Sequence, residues 1–278
     1  LKWNKSKIIY LVFLNKFVAN QTVITTAGRP DSITYQMAAF ASEALGFPIV
    51  ERKKRSVLRM QREFEADVLV AGKDRFELFR EGMEQPLFFH PNSAAFRLKR
   101  IVKGETDPLI EACELKDGDS FLDCTLGLAS DSIIASYIMG ERGKCVGLEA
   151  DPIVAFLTKT GLQKFPTSSV ALKASMHRIE VIQSEAVEFL IVQPDCSFDV
   201  VYIDPMFHAP IEESSNFKPL RQAGVHTSLS AKWVEEAFRV CRRRVVVKER
   251  FDSNIFDQFD MQRKIRPNTK FHFGFLSK

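Results

Sequence analysis

From about Asp107 to the C-terminus, short apolar runs alternate with amphipathic stretches, and this alternation limits the possible folds more than any other feature of the chain. Runs at 120–124, 144–149, 178–183, 198–203 and 244–248, with a last one near 271–276, have the length and apolar content of strands. Between them, apolar residues recur at helical spacing over 108–115, 131–139, 152–164, 184–192 and 229–240. Short apolar strands separated by amphipathic helices predict an α/β fold with a mostly parallel sheet covered on both faces. In such sheets ligands sit at the carboxyl ends of the strands, so the residues that follow each strand are where function is to be sought.

The first strand ends in Asp123, and a turn through Gly127 leads to Ser130 and Asp131 at the start of a helix. Glycine permits close backbone approach, and a new helix offers free N–H groups, an arrangement suited to a nucleoside cofactor. Both G-x-G-x-x-G and G-x-x-x-x-G-K-[ST] are absent, which weakens a dinucleotide or nucleoside-triphosphate reading. Taken alone, the run serves equally well as a plain connection capped by Ser130 or Asp131. The next strand ends in Glu149 and Ala150, 26 residues after Asp123, before Asp151 and Pro152 at a helix start. A carboxylate at that tip can accept both hydroxyl protons of a ribose. The third strand end supplies Ser184, Glu185 and Ala186 on the adenine side, or simply another helix cap.

The sharpest signal follows the fourth strand, where Asp204, Pro205 and Met206 precede Phe207. An amino group conjugated to a heterocycle is a poor nucleophile. The Asp204 carboxylate and the Pro205 carbonyl can each accept one of its N–H groups and so aim the nitrogen lone pair at a methyl donor, while Phe207 stacks on the extruded base. The alternative is an Asp-Pro turn with Phe207 as core filler.

Four elements together, Asp123 to Asp131, Leu148-Glu149 with Pro152, Asp204 to Phe207, and Arg244 to Lys248, resemble the class I S-adenosylmethionine-dependent methyltransferases. Within these, residues 105–278 look most like the small-subunit ribosomal RNA methyltransferase J family, which methylates guanine N2, and its uncharacterised bacterial relatives. The resemblance implies a Rossmann-like sheet, S-adenosyl-L-methionine as cofactor, and Ser130, Asp131, Glu149, Ala150, Glu185, Ala186 and Asp204 as its contacts. The sequence departs from the family at four places. Ala129 stands for a second glycine, Ser130 for an arginine, Glu185-Ala186 for two serines, and His208 for the proline after the aromatic.

Residues 1–104 read as a smaller, basic α/β region with 18 Lys and Arg against 10 Asp and Glu, which leaves 21 against 25 for residues 105–278. Strands are expected at 22–26, near Ile49 and at 67–71, helices from Asp31 to about Leu45 and over 56–64, and an extended piece at 86–90. Asn92 or Ser93 would cap a short helix carrying Arg97, Lys99 and Arg100. The segments Arg52 to Arg55 and Arg97 to Lys103 are candidate phosphate contacts for a structured RNA, ribosomal RNA or a small-subunit particle, although such runs are usually solvated helix faces. Five dispersed cysteines, with no metal or redox spacing, point to reduced thiols in the cytoplasm and to no metal. The apolar run Ile8 to Leu14 is too short to span a bilayer, and residues 1–20 are a candidate extension. The competing expectations are a methyltransferase of a protein carboxylate or small molecule, and a non-catalytic RNA-binding protein with a vestigial pocket.

Overall fold

The computed structural model describes residues 21–205, 229–267 and 269–278. The chain divides into two compact units, 1–88 and 89–278.

In the first unit, β1 (Gln21–Thr26) pairs in parallel with β2 (Ala66–Ala71), and β3 (Phe76–Phe79) adds antiparallel to β2. Helix α1 (Ser32–Leu45) starts at a capping box in which Asp31 accepts from Thr34 N–H and Thr34 Oγ1 accepts from Asp31 N–H. Helix α2 (Val57–Phe64) is capped by Ser56. Val23, Met60, Val68 and Val70 form the core. The strand expected near Ile49 is a single parallel bridge to Ile24, fastened by bonds of 2.9 and 2.7 Å on either side of Ile24. Pro48 has no N–H with which to extend the ladder.

The second unit opens with α3 (Asn92–Val102) and α4 (Pro108–Cys113). Pro91, not Asn92 or Ser93, occupies the N-cap of α3, and no side chain caps it. The boundary at 88/89 therefore places Arg97, Lys99, Arg100 and Lys103 in this unit. On that division residues 1–88 carry 14 Lys and Arg against 10 Asp and Glu, and residues 89–278 carry 25 of each. Since Lys2, Lys5, Lys7 and Lys16 lie in the first twenty residues, residues 21–88 are balanced at 10 and 10.

The sheet of this unit is built from β4 (Ser120–Asp123), β5 (Lys144–Glu149), β6 (Ile179–Gln183), β7 (Phe198–Ile203), β8 (Cys241–Arg250), β9 (Gln262–Lys264) and β10 (Phe271–Ser277). Its order is β6-β5-β4-β7-β8-β10-β9, with β10 antiparallel to both neighbours and the remaining pairs parallel. This is a Rossmann-like sheet. Helices α5 (Ser130–Met139), α6 (Pro152–Lys164), α7 (Val170–His177), α8 (Ala186–Ile191) and α9 (Ala231–Val240) connect the strands, with the short α10 (Ile255–Gln258) ahead of β9. The chain winds outward from β4 through β5 to β6, then returns to β4's other side as β7. Ligand crevices form where strand order reverses in this way, here between the ends of β4 and β7.

Alternate residues of the central strands pack on opposite faces. Leu122, Val201, Val245 and Val247 join Trp233, Val234 and Ala237 of α9 in one core cluster. Phe121 and Tyr202 point the other way and stack with centroids 5.8 Å apart. Burying each such side chain contributes about 1.5–3 kcal/mol. Among the described residues, no helix is long and apolar enough to cross a membrane.

Candidate active site

Asp123 ends β4 almost fully buried, and its carboxylate is saturated from within the chain. It accepts from Thr125 N–H at 3.0 Å, Thr125 Oγ1 at 3.3 Å and Ser132 Oγ at 2.7 Å, tying strand, turn and helix together. Burial pushes this carboxyl up to about 7, with the Ser132 and Thr125 bonds opposing the rise. The turn then passes through two left-handed residues, Gly127 at φ 50° and Ala129 at φ 61°. Ala129, which replaces a glycine of the resembling family, thus adopts the conformation a glycine would take freely. It is the N-cap of α5 and supplies no capping side chain, so the first-turn N–H groups from Ser130 onward are left for a ligand.

The tip of β5 is bonded directly to this turn. Glu149 Oε2 accepts from Gly127 N–H at 3.1 Å, and Oε1 accepts from Asp151 N–H at 2.9 Å. Burial raises the Glu149 carboxyl to about 7, opposed by those backbone bonds. From behind, Thr158 of α6 donates to the Gly127 carbonyl at 2.6 Å. The third strand end joins through the backbone, Ser184 N–H donating to the Glu149 carbonyl at 3.0 Å. Glu185 is exposed at the N-cap of α8 and makes no capping bond, while Ala186 is buried in the core cluster.

Asp204 follows β7 and is fixed at two atoms. Its N–H donates to Thr125 Oγ1 at 2.7 Å, and Lys248 Nζ of β8 lies 2.5 Å from its Oδ2. Among the described residues, none donates to Oδ1. Pro205 is buried beside it, while Phe207 lies outside the described residues, as do Met206 and His208. Lys248 Nζ also faces Asp131 Oδ2 at 3.4 Å and the Phe271 ring at 5.1 Å. The Asp131 carboxylate is fully engaged, since it further accepts from Arg97 at 2.5 Å and from the Tyr202 hydroxyl at 2.8 Å. Burial would raise Asp131, but Lys248 and Arg97 hold it well below the usual carboxylate range. Burial would likewise lower Lys248, and Asp131 with Asp204 overrides it, so the ammonium is held firmly protonated.

The glycine turn, the uncapped helix start, the neighbouring carboxylate and the held Asp204 are thus bonded together at adjacent strand ends. The family described as "Putative SAM-dependent methyltransferase" matches residues 52–272. The chain belongs to this family. Its methyl donor is S-adenosylmethionine, and the donor set at the β4 and β5 tips fits it, with backbone N–H groups for a carboxylate and Glu149 for a diol. The methyltransferase is 43% identical to the uncharacterized protein YpiP of Bacillus subtilis over 91% of this chain and 98% of that one. Ribosomal RNA small subunit methyltransferase J of Buchnera aphidicola is 31% identical over 46% of this chain and 52% of its own length, so the match spans about half of that relative. The crystal structure of a SAM-dependent methyltransferase from Neisseria gonorrhoeae shares the fold, with TM-score 0.57, 17% identity and coverage of 92% of this chain and 96% of that one.

Several residues that organise the methyltransferase's site are ones for which sequence reasoning found no role. Thr125 and Thr158 looked like ordinary turn and helix residues. Lys248 closes the Arg244–Lys248 element of the resemblance without a role of its own, yet the parallel pairing of Ile203 with Val247 sets it level with Asp204. Arg97, read as a phosphate contact, instead binds Asp107 through two bonds of 2.8 Å and reaches Asp131, while Arg100 pairs with Glu105. Arg242, Arg243 and Arg244 are likewise committed, to Asp199, Asp119 and Glu114. Among the described residues, no group of three His, Cys, Asp or Glu side chains could hold a metal ion.

Proposed function

We propose that this methyltransferase modifies an exocyclic base amine in RNA, with guanine N2 of small-subunit ribosomal RNA the favoured target. The observation that carries the reading is Asp204. It is a carboxylate at the switch between β4 and β7, with one oxygen held by Lys248 and the other accepting from no described residue, directly before the carbonyl of Pro205. The bound cofactor supplies an electrophilic methyl group on a sulfonium. Asp204 Oδ1 and the Pro205 carbonyl accept the two N–H groups of the amine and so point its lone pair along the line of displacement. The N–CH3 bond forms as the S–CH3 bond breaks, and the proton released by the nitrogen passes to Asp204. Glu149 takes the ribose hydroxyls, and the N–H groups from Ser130 and Asp131, beside Gly127, take the methionine carboxylate. Glu185 and Ala186 border the adenine, Asp123 shapes the turn, and Phe207 stacks on the base.

The similarity to ribosomal RNA methyltransferase J, although confined to about half of that protein, supports an RNA target. The charge of the first unit gives weaker support, because its excess of four comes from the lysines of residues 1–20 and residues 21–88 are balanced. Methylation of a small molecule is the reading that this balance favours. Five free thiols, four of them buried, support action in the cytoplasm.

The deciding experiment is mass spectrometry of nucleosides from total RNA of a strain lacking the gene. Loss of one methylated base, restored by the wild-type gene but not by Asp204→Ala, is the expected result. An unchanged nucleoside profile would overturn the RNA assignment. Cofactor binding is checked separately by thermal unfolding, since a ligand at 100 times its Kd adds about 2.7 kcal/mol.

A further inference from the structure

Behind Asp204 runs a chain of buried charges, of which the transfer chemistry above uses only the last member. Arg97 on α3 holds Asp107 and Asp131, Asp131 on α5 holds Lys248, and Lys248 on β8 holds Asp204. The side chains of Asp107, Asp131, Lys248, Arg97 and Asp204 are 5, 15, 18, 21 and 24% exposed. Five charges this poorly solvated are a weak way to stabilise a fold, because well-packed apolar residues of similar volume often do as well or better. Their arrangement calls for a reason beyond stability.

We propose that Lys248 is a positioning residue for methyl transfer: clamped by Asp131, which Arg97 and Tyr202 hold in place, it ties down one oxygen of Asp204 and leaves the other ionised and turned toward the amine. The proposal rests on Asp204 being the amine acceptor. Asp204 needs its charge to orient an N–H and then take a proton, yet its surroundings oppose that charge. Burial favours the neutral acid, and the carboxylates of Asp131 from α5 and Asp123 from β4 act in the same direction. Tyr202 on β7 stays protonated, its hydroxyl pushed well up by burial and by the same carboxylates, so it serves only as a donor to Asp131. Arg97 is bonded to Asp107 and Asp131 and favours the Asp204 charge only from a distance, and among the described residues Lys248 is the cation in contact with Asp204. Asp131 in turn prevents the lysine from swinging away, and Thr125 fixes the Asp204 backbone.

The test uses full-length wild type, Lys248→Met, Lys248→Arg and Asp204→Asn. Carboxyl 13C NMR without RNA, with the Asp204 signal identified by its loss in Asp204→Asn, reads the ionisation directly. Lys248→Met is expected to raise the Asp204 titration by at least about one pH unit, and Lys248→Arg to restore most of it. Methyl transfer to small ribosomal subunits from a strain lacking the gene gives the second readout. There Lys248→Met should lower kcat by about 100-fold, leave KM for S-adenosylmethionine nearly unchanged, and move the acid limb of the pH profile to higher pH. A wild-type titration and kcat in Lys248→Met beside an inactive Asp204→Asn would overturn this proposal alone. Wild-type turnover by Asp204→Asn would overturn the reading of Asp204 and this proposal with it. If wild type does not methylate that particle, the titration decides by itself.

Discussion

Thr125 Oγ1 accepts the backbone N–H of Asp204 at 2.7 Å, joining the turn after β4 to the end of β7 across 79 residues of sequence. The same hydroxyl donates to Asp123 Oδ1 at 3.3 Å. One side chain therefore couples the glycine turn to Asp204, the proposed cofactor cradle to the proposed amine acceptor.

Thr125→Val keeps the shape of the side chain and removes the acceptor. Stranding a part-buried N–H costs about 1–3 kcal/mol, so the urea midpoint should fall accordingly. Release of Asp204 should also lower kcat by up to about 100-fold, because displacements near 1 Å at a reacting centre have effects of that size. Cofactor affinity, measured by calorimetry, should change little. Unaltered stability and kcat would show that the link is incidental.

With Glu149 as the proposed ribose acceptor, cofactor binding is expected to depend on pH. Its carboxyl, raised by burial to about 7 in the free protein, must shed a proton to accept two ribose hydroxyls. Affinity for S-adenosylmethionine should therefore weaken as pH falls through about 7, and Glu149→Gln should bind more weakly and without that slope. The stability of the cofactor-free protein should show the opposite sign. Between its ordinary value near 4.5 and about 7 the unfolded chain has lost this proton while the folded chain keeps it. The group's contribution is thus greatest below that window and is lost as pH rises through it. Calorimetry and urea titrations on either side of neutrality check both slopes, and identical slopes in Glu149→Gln would refute the assignment.

Gly161 lies within α6, where a Cβ would stand 2.1 Å from Phe89 Cγ and 2.5 Å from its Cβ. Helix propensity favours alanine by about 1 kcal/mol, but overpacking against the fixed root of an aromatic side chain costs about 1–3 kcal/mol. Gly161→Ala should therefore lower the melting temperature, and the same substitution should cost less in a Phe89→Ala background, which removes the Cγ that the new methyl meets. A more stable Gly161→Ala would mean that Phe89 moves aside freely.

Ser132→Ala removes the 2.7 Å donor to the buried Asp123. The protein should lose about 1–3 kcal/mol at neutral pH, because one fewer hydrogen bond then supports a carboxylate whose ionisation burial already resists. The deficit should shrink under mildly acidic conditions, where Asp123 carries its proton in both proteins. A deficit independent of pH would show that Ser132 acts by packing alone.

By itself the sequence determined the strand and helix series of the second unit, the motif at each strand tip, and the family. Those features are local. Periodicity shows which residues lie on a strand, and Asp123, Glu149 and Asp204 follow directly once the strands are placed. Helix α7 was missed because Val170 and Lys173 face outward and its apolar pattern is short. Only the tertiary structure decided how the charges are used. Arg97, Asp131 and Lys248 come together over separations of 34 and 117 residues because β8 lies beside β7 and α3 packs with the second unit. A charged residue reads the same in sequence whether it faces water, a phosphate or a buried partner. The placement of Arg97 turned a presumed RNA contact into an internal one, and with residues 89–104 in the second unit the excess of eight basic charges in the front of the sequence falls to four over residues 1–88.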